Sequence, residues 1–335
     1  MLSSYIKSTG IYTPDNVLTN FDLEEMMDTS DEWIQQRSGI KERRWVTSSD
    51  TTASMAVAAA NMAIESAGIE VDDIDAIIFG CLLSDYPFPG TGCILQDKLG
   101  FSEHVPALDI RNQCSGFLYA LSIADAWIKS SMYKRVLIVA SEIHSTSMDK
   151  SKSGRDIGVL FGDGAAAVIV EATEEKNKGI IDTTIHSEGK FAEKLTLMKP
   201  SPNDHDKYAD IIKGGEAARD FFPHMDGKFV FKNAVTRMPQ ALKAVCERNN
   251  INIDEIDMVI PHQANIRINQ MILEGLNIPL EKSHHTIQKY GNTTMASIPI
   301  TLHDAILENK VKPGDLIAFI AFGAGFTWGA SLMRF

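Results

Sequence analysis

Apolar residues in this chain fall into short runs bounded by polar turns, alternating with longer stretches that have helical spacing. Residues 136–140 (VLIVA) and 316–322 (LIAFIAF) have the length and composition of buried strands. Residues 106–110 (PALDI) read as another short buried strand. Just beyond them Phe117, Leu118, Leu121, Ala124, Ala126 and Ile128 fit an almost wholly apolar helix, and such a helix belongs in a core. Residues 29–39 predict a further helix, followed by the basic cluster Lys41, Arg43 and Arg44, which reads as a solvated loop.

The pattern repeats. At an offset of about 181 residues, IESAGIEVDDIDAIIF (64–79) lies over VCERNNINIDEIDMVI (245–260), CSGFLYAL (114–121) over MASIPITL (295–302), and VLIVA (136–140) over IAFIA (317–321). Each half alternates strands with helices, the order that gives a mostly parallel sheet covered by helices. Two such halves predict a pseudo-two-fold α/β molecule, in which the helices beginning near Cys114 and near Met295 point into a shared central site. The charged stretch 171–179 (EATEEKNKG) breaks the apolar pattern and places the halves at 1–175 and 176–335. Residues 199–224 have no counterpart in the first half and predict an insertion, either the wall of a binding mouth or a surface loop.

Composition narrows the class. With 335 residues, 44% hydrophobic and 23% charged, the chain has the make-up of a soluble globular protein. A net charge of −12 argues against a nucleic-acid partner. The apolar runs are too short to cross a bilayer, and the first ten residues lack a signal-peptide pattern, so the expected setting is cytoplasmic with no membrane partner. Cys81, Cys93, Cys114 and Cys246 show no CxxC or Cys/His spacing, so reduced thiols and no metal site are expected.

Cys114 stands where a strand ends and the apolar helix begins. A thiol in the first helical turn faces unsatisfied N–H groups and the positive end of the macrodipole, so its pKa is expected to fall. The plain alternative is a small buried apolar residue. The second half adds two polar clusters at strand and helix junctions, PHQANIR with His262 and YGNTTM with Asn292, the latter just before the helix that mirrors the Cys114 helix. The duplication is an independent reason to bring all three together. FGAGFTWG (322–329) follows the last long strand, and its glycines suit a backbone oxyanion hole. FGDGA (161–165) is too short for a dinucleotide fingerprint and reads as a tight turn supporting the site.

DIRNQCSGF, PHQANIRI, YGNTTMASIP and FGAGFTWGASLMRF, with TSDEWIQQRSGI near the start, resemble the β-ketoacyl-acyl carrier protein synthase III family of the thiolase superfamily. The resemblance runs nearly end to end except over residues 199–223. It implies a thiolase-like duplicated αβαβα five-layered fold and a decarboxylating condensation of an acyl-CoA with malonyl-acyl carrier protein. Cys114 would be the acylated nucleophile, with His262 and Asn292 stabilising decarboxylation and the backbone N–H groups of Cys114 and Ala324 forming the oxyanion hole. Trp33, Arg37 and Arg155 match the adenine end of the coenzyme A channel, and Phe231, Ala234 and Asn265 its pantetheine arm. Phe88 matches an acyl-pocket wall donated across a homodimer interface, and Lys232 and Arg267 match a carrier-protein docking patch. Ala324 and Asp156 stand where the family commonly has glycine. No cofactor is implied, coenzyme A entering as the substrate thioester. A Cys-His-Asn set also occurs in papain-like proteases, but their aromatic-rich nucleophile motif is absent from NQCSGF and their fold predicts no such duplication. A non-catalytic acyl-CoA binder would not need all three reactive side chains. A relative acting in secondary metabolism on other acyl groups is the nearer alternative.

Overall fold

The computed structural model describes residues 2–198 and 221–335, so most of the expected insertion (199–220) lies outside the described residues. The first sheet comprises β1 (Ser3–Tyr12), β2 (Ala76–Gly80), β3 (Ala107–Ile110), β4 (Arg135–Glu142) and β5 (Gly164–Thr173), in the spatial order β1-β5-β4-β2-β3. β2 runs parallel to β3 and β4, and β5 antiparallel to β4 and β1. The second sheet comprises β6 (Gly179–Ser187), β7 (Met258–Pro261), β8 (Leu316–Gly323) and β9 (Thr327–Arg334), in the order β6-β9-β8-β7. Its directions are the same: β7 is parallel to β8, and β9 is antiparallel to β8 and β6. Where the first sheet has β3, the second keeps one parallel bridge between Val259 and Ser283. The repeat in sequence is thus a repeat in topology, but both sheets are mixed rather than mostly parallel as expected, because β5 and β9 each run antiparallel to both neighbours.

Six helices complete the layers: α1 (Asp31–Ser38), α2 (Thr52–Ala67), α3 (Gly116–Lys129), α4 (Gly227–Arg248), α5 (Ile266–Gly275) and α6 (Ser297–Leu307). Side chains alternate along each strand between two apolar clusters. Ile78, Val136, Ile138 and Ala140 meet α3 and α6 in a central core that also takes Ile317, Phe319 and Ala321 from β8. Ile77, Phe79, Leu137 and Val139 face the opposite way, onto α2. Leu316, Ala318, Ile320 and Phe322 face α4 and α5. The layers are therefore α2, first sheet, α3 with α6, second sheet, and α4 with α5. Because both faces of each sheet are covered, β4 and β8 read as unbroken apolar runs.

Two local expectations fail, each for lack of information about neighbours. Among the described residues β3 is the sheet edge, paired only with β2, and Leu108 and Asp109 are exposed. Arg43 is not solvated. It is the inward residue of a short strand (Glu42–Arg44) and is fully buried, donating to the Leu18 carbonyl at 3.3 Å, Asn20 Oδ1 at 2.8 Å and the Val159 carbonyl at 3.0 Å. Burial lowers its pKa to about 10. Among the described residues no helix is long and apolar enough to cross a membrane.

Candidate active site

Each central helix is entered through a tight turn, Gln113–Ser115 before α3 and Thr294–Ala296 before α6. Gln113 (φ 40°) and Thr294 (φ 49°) adopt left-handed backbone without being glycine. A position of that kind costs about 1–3 kcal/mol and persists only where its surroundings impose it. Here the same strained entry occurs in both halves, and the residue after it is Cys114 in one and Met295 in the other.

A cavity of about 850 Å³ brings Cys114, His262 and Asn292 into one lining. His262 follows β7, its N–H bonded to the Ile320 carbonyl at 2.8 Å. Its Nδ1 lies 2.7 Å from Ser297 Oγ, and that oxygen also accepts the Gln263 N–H at 3.2 Å. With the serine hydroxyl donating to Nδ1, the imidazole hydrogen sits on Nε2, an atom without a partner among the described residues. Burial pushes the His262 pKa down to about 3, so the ring is neutral. Asn292 is held by two backbone bonds, its N–H donating to the carbonyl of Leu160, just before the FGDGA turn, at 2.9 Å and its carbonyl accepting from the Gly162 N–H of that turn at 3.1 Å. Its Oδ1 accepts the Thr294 N–H at 2.9 Å. Nδ2 is therefore the donor left for a ligand. Both side chains offer hydrogen, neither offers charge.

The thiol departs from expectation. Burial, with the Glu142 carboxyl acting in the same direction, pushes the Cys114 pKa up to about 12. A helix terminus is worth at most about 2 kcal/mol, whereas full burial moves a pKa by up to about 3–5 units, so desolvation wins and the resting group is the thiol. Gly323, at the end of β8, keeps its backbone accessible: a Cβ there would stand 2.7 Å from Cys114 Cβ and 3.2 Å from Cys114 N. The adjoining Ala324 is anchored through its carbonyl, which accepts from Thr327 Oγ1 at 2.8 Å, and Ser115 Oγ donates to Thr327 Oγ1 at 2.7 Å. A chain of hydrogen bonds thus links Ser115, the residue after Cys114, to the Ala324 carbonyl.

Trp33, Arg37, Phe231, Ala234, Asn265 and Arg267 line the same cavity. α1 starts with Ser30 Oγ accepting the Trp33 N–H and ends at Gly39 (φ 81°), which puts Trp33 and Arg37 one turn apart on one face. The Arg37 guanidinium lies 4.6 Å from the Trp33 ring centre and that of Arg155 4.9 Å from it. Arg155 itself is not in the lining, though Asp156 is. Asn265 is already engaged, its Oδ1 capping α5 through the Arg267 N–H at 2.9 Å and its Nδ2 donating to the Arg37 carbonyl at 2.7 Å. Lys232 is exposed on α4, one turn beyond the lining residue Lys228. Phe88 lies outside the cavity of its own chain and is 84% exposed. Away from the cavity lining, His284, Asp304 and Glu308 cluster closely enough to suggest a cation site. Lys310 already serves it, 2.6 Å from Glu308 and 3.2 Å from His284.

Two family models match the chain, one described as 3-Oxoacyl-[acyl-carrier-protein (ACP)] synthase III over residues 108–189 and its C-terminal counterpart over residues 246–335. A beta-ketoacyl-[acyl-carrier-protein] synthase III of Aquifex aeolicus is 44% identical over 334 residues, covering 100% of both chains. The chain belongs to the synthase III family. The crystal structure of the Aquifex 3-oxoacyl-[acyl-carrier-protein] synthase III matches with a TM-score of 0.90 over 99% of this chain and 100% of that one. The priming beta-ketosynthase of the R1128 polyketide pathway matches at 0.88 with 27% identity, over 99% of this chain and 96% of that one. As a synthase III this chain is an acyl-transferring condensing enzyme of the thiolase fold.

Sequence reasoning passed over Ser297, Thr294 and Glu142. Ser297 had one signal, a polar residue opening the apolar stretch SIPITL. Glu142 had another, a lone acid closing the buried strand RVLIVASE.

Proposed function

We propose that this chain condenses an acyl-CoA primer with malonyl-acyl carrier protein through an acyl-Cys114 intermediate, the initiating step of fatty-acid synthesis. The observation that carries the reading is one cavity in which a helix-start cysteine from the first half (1–175) meets two aimed neutral donors from the second (176–335). Cys114 sulfur attacks the primer thioester carbon. The carbon–sulfur bond to coenzyme A breaks, and the thiol proton leaves with the coenzyme A thiol. Malonyl thioester then loses carbon dioxide, and its electron pair moves onto the thioester oxygen between His262 Nε2–H and Asn292 Nδ2–H. The resulting carbanion attacks the acyl-Cys114 carbonyl, whose oxygen takes up the N–H groups of Cys114 and Ala324, and the cysteine sulfur departs as thiolate and takes a proton from solvent to restore the resting thiol.

Trp33, with the guanidinium groups of Arg37 and Arg155 over its ring, suits an adenine with nearby phosphates, and Phe231, Ala234 and Asn265 of the same cavity suit the pantetheine arm. Lys232 and Arg267 supply cations for an acidic carrier protein despite the −12 net charge. An almost fully exposed Phe88 suits a homodimer in which that ring enters the partner's acyl pocket. The setting is cytoplasmic. Intact-protein mass spectrometry after exposure to a panel of acyl-CoAs tests the reading. A single acyl mass on Cys114, discharged by malonyl-carrier protein with release of carbon dioxide, is expected. An unmodified Cys114 with every acyl-CoA overturns it.

A further inference from the structure

Just beyond the site, where β4 ends, two titratable side chains that the reaction does not use are completely enclosed: Glu142 and His144 are both 0% exposed. Glu142 Oε2 accepts the Leu82 N–H at 2.9 Å and Oε1 accepts the Met295 N–H at 3.4 Å. His144 Nε2 lies 2.5 Å from Thr294 Oγ1, its ring packs 4.7 Å from the ring of Phe161, and its N–H is tied to Asp163 Oδ1 at 2.7 Å. Thr294 is the residue whose N–H holds Asn292 Oδ1, and Phe161 bridges Asn292 through the backbone. Contacts of both side chains therefore converge on residues 292–295. Neither Glu142 nor His144 lines the cavity. A buried carboxyl with no cation beside it among the described residues is a cost that an apolar residue of similar size would spare. What the pair secures in return is the aim of one amide.

We propose that Glu142 and His144 are positioning residues for decarboxylation, clamping the 292–295 turn so that Asn292 Nδ2 stays directed at the thioester oxygen. The inference rests on the reaction proposed above. Acylation relies on the turn at Cys114. Of the clamp only Glu142 also bears on that thiol, adding to burial in raising its pKa, so cutting the His144–Thr294 side separates the two half-reactions.

The test uses the full chain and two readouts, acyl mass on Cys114 and carbon dioxide released from a malonyl thioester. Thr294→Val removes the hydroxyl that His144 reaches while keeping the N–H that Asn292 needs. His144→Phe and Glu142→Leu cut the other side. Each is expected to lower decarboxylation about 10-fold, the kind of loss a small misalignment produces; acylation is unchanged in Thr294→Val and His144→Phe, and does not fall in Glu142→Leu, which lifts the carboxyl's upward push on the Cys114 thiol. Glu142→Gln keeps an acceptor and should recover most of the loss. Should Glu142→Leu fail to fold, Thr294→Val and His144→Phe still decide the matter. An unaltered ratio of the two rates in folded variants overturns the clamp, and so does an equal loss of both, which would mean a loosened core. A wild-type chain that performs neither step overturns the reaction itself.

Discussion

Cys114 and Met295 occupy the same place in two copies of one turn, each after a residue at positive φ and each leading into an apolar helix between the sheets. Around Cys114 the end of the neighbouring strand is Gly323, and the cysteine faces a cavity. Around Met295 the strand end at the same offset is Glu142, whose carboxyl takes the Met295 N–H. The methionine side chain fills the remaining space, lying so close to Gly80 and Gly116 that a Cβ on either would meet its sulfur, at 2.1 Å and 2.6 Å respectively. A duplicated frame thus offers two helix starts with free N–H groups, and one is closed by a carboxyl and a thioether. The open one owes its access to a missing side chain. Catalytic capacity here is a matter of what is left out as much as of what is supplied.

The largest way to break the comparison is Cys114→Ser. The hydroxyl has no base able to replace the thiol chemistry, and acyl-enzyme formation measured by mass should fall by about 10³-fold or more. Gly323→Ala comes next, because it brings the open helix start towards the closed one. Its Cβ would crowd Cys114 N, so kcat with small thioesters should drop by about 10²–10³-fold, as for loss of an oxyanion donor. Unchanged kcat would show that the N–H of Cys114 is not used. His262→Ala and Asn292→Ala should each still acylate Cys114 yet lose about 10²-fold in carbon dioxide release, close to 3 kcal/mol per donor. Collapse of acylation with decarboxylation intact would reverse the roles.

Acid stability probes both ends at once. Burial holds His144 and His262 at about 3 and His285 at about 4, below the ordinary 6.5. The unfolded chain takes up these protons below pH 6.5 while the folded chain does not, so stability is full above 6.5 and falls as pH drops towards 4. Each histidine contributes up to about 1.4 kcal/mol per pH unit. Glu142, raised to about 8 by burial, acts in the opposite sense, its contribution being lost as pH rises through 8. Urea midpoints against pH should therefore decline below 6.5, and less steeply in His262→Gln. The smallest effect lies at the rim. Lys232→Glu and Arg267→Glu should raise the apparent KM for malonyl-carrier protein several-fold, by about 1 kcal/mol, and leave small thioesters unaffected; equal losses on both would point to damage at the centre.

The repeat, its central strands and helices, and the meeting of Cys114, His262 and Asn292 in one cavity were legible in the sequence, whereas β1, β5, β6 and β9 were not read from it. Apolar runs, turn residues and a constant offset are local or arithmetical properties, and a sheet buried on both faces prints its strands directly. The chain also displayed the glycines of FGAGFTWG without showing that Gly323 is the one that matters. Only tertiary structure decided the rest. The direction of the Cys114 pKa depends on how completely other segments remove it from water, and the burial of Arg43 on carbonyls from residues 18 and 159. The hydrogen on His262 Nε2 depends on Ser297, a residue on another helix. Desolvation and hydrogen-bond partnership are set by segments far apart along the chain, so no local pattern contains them.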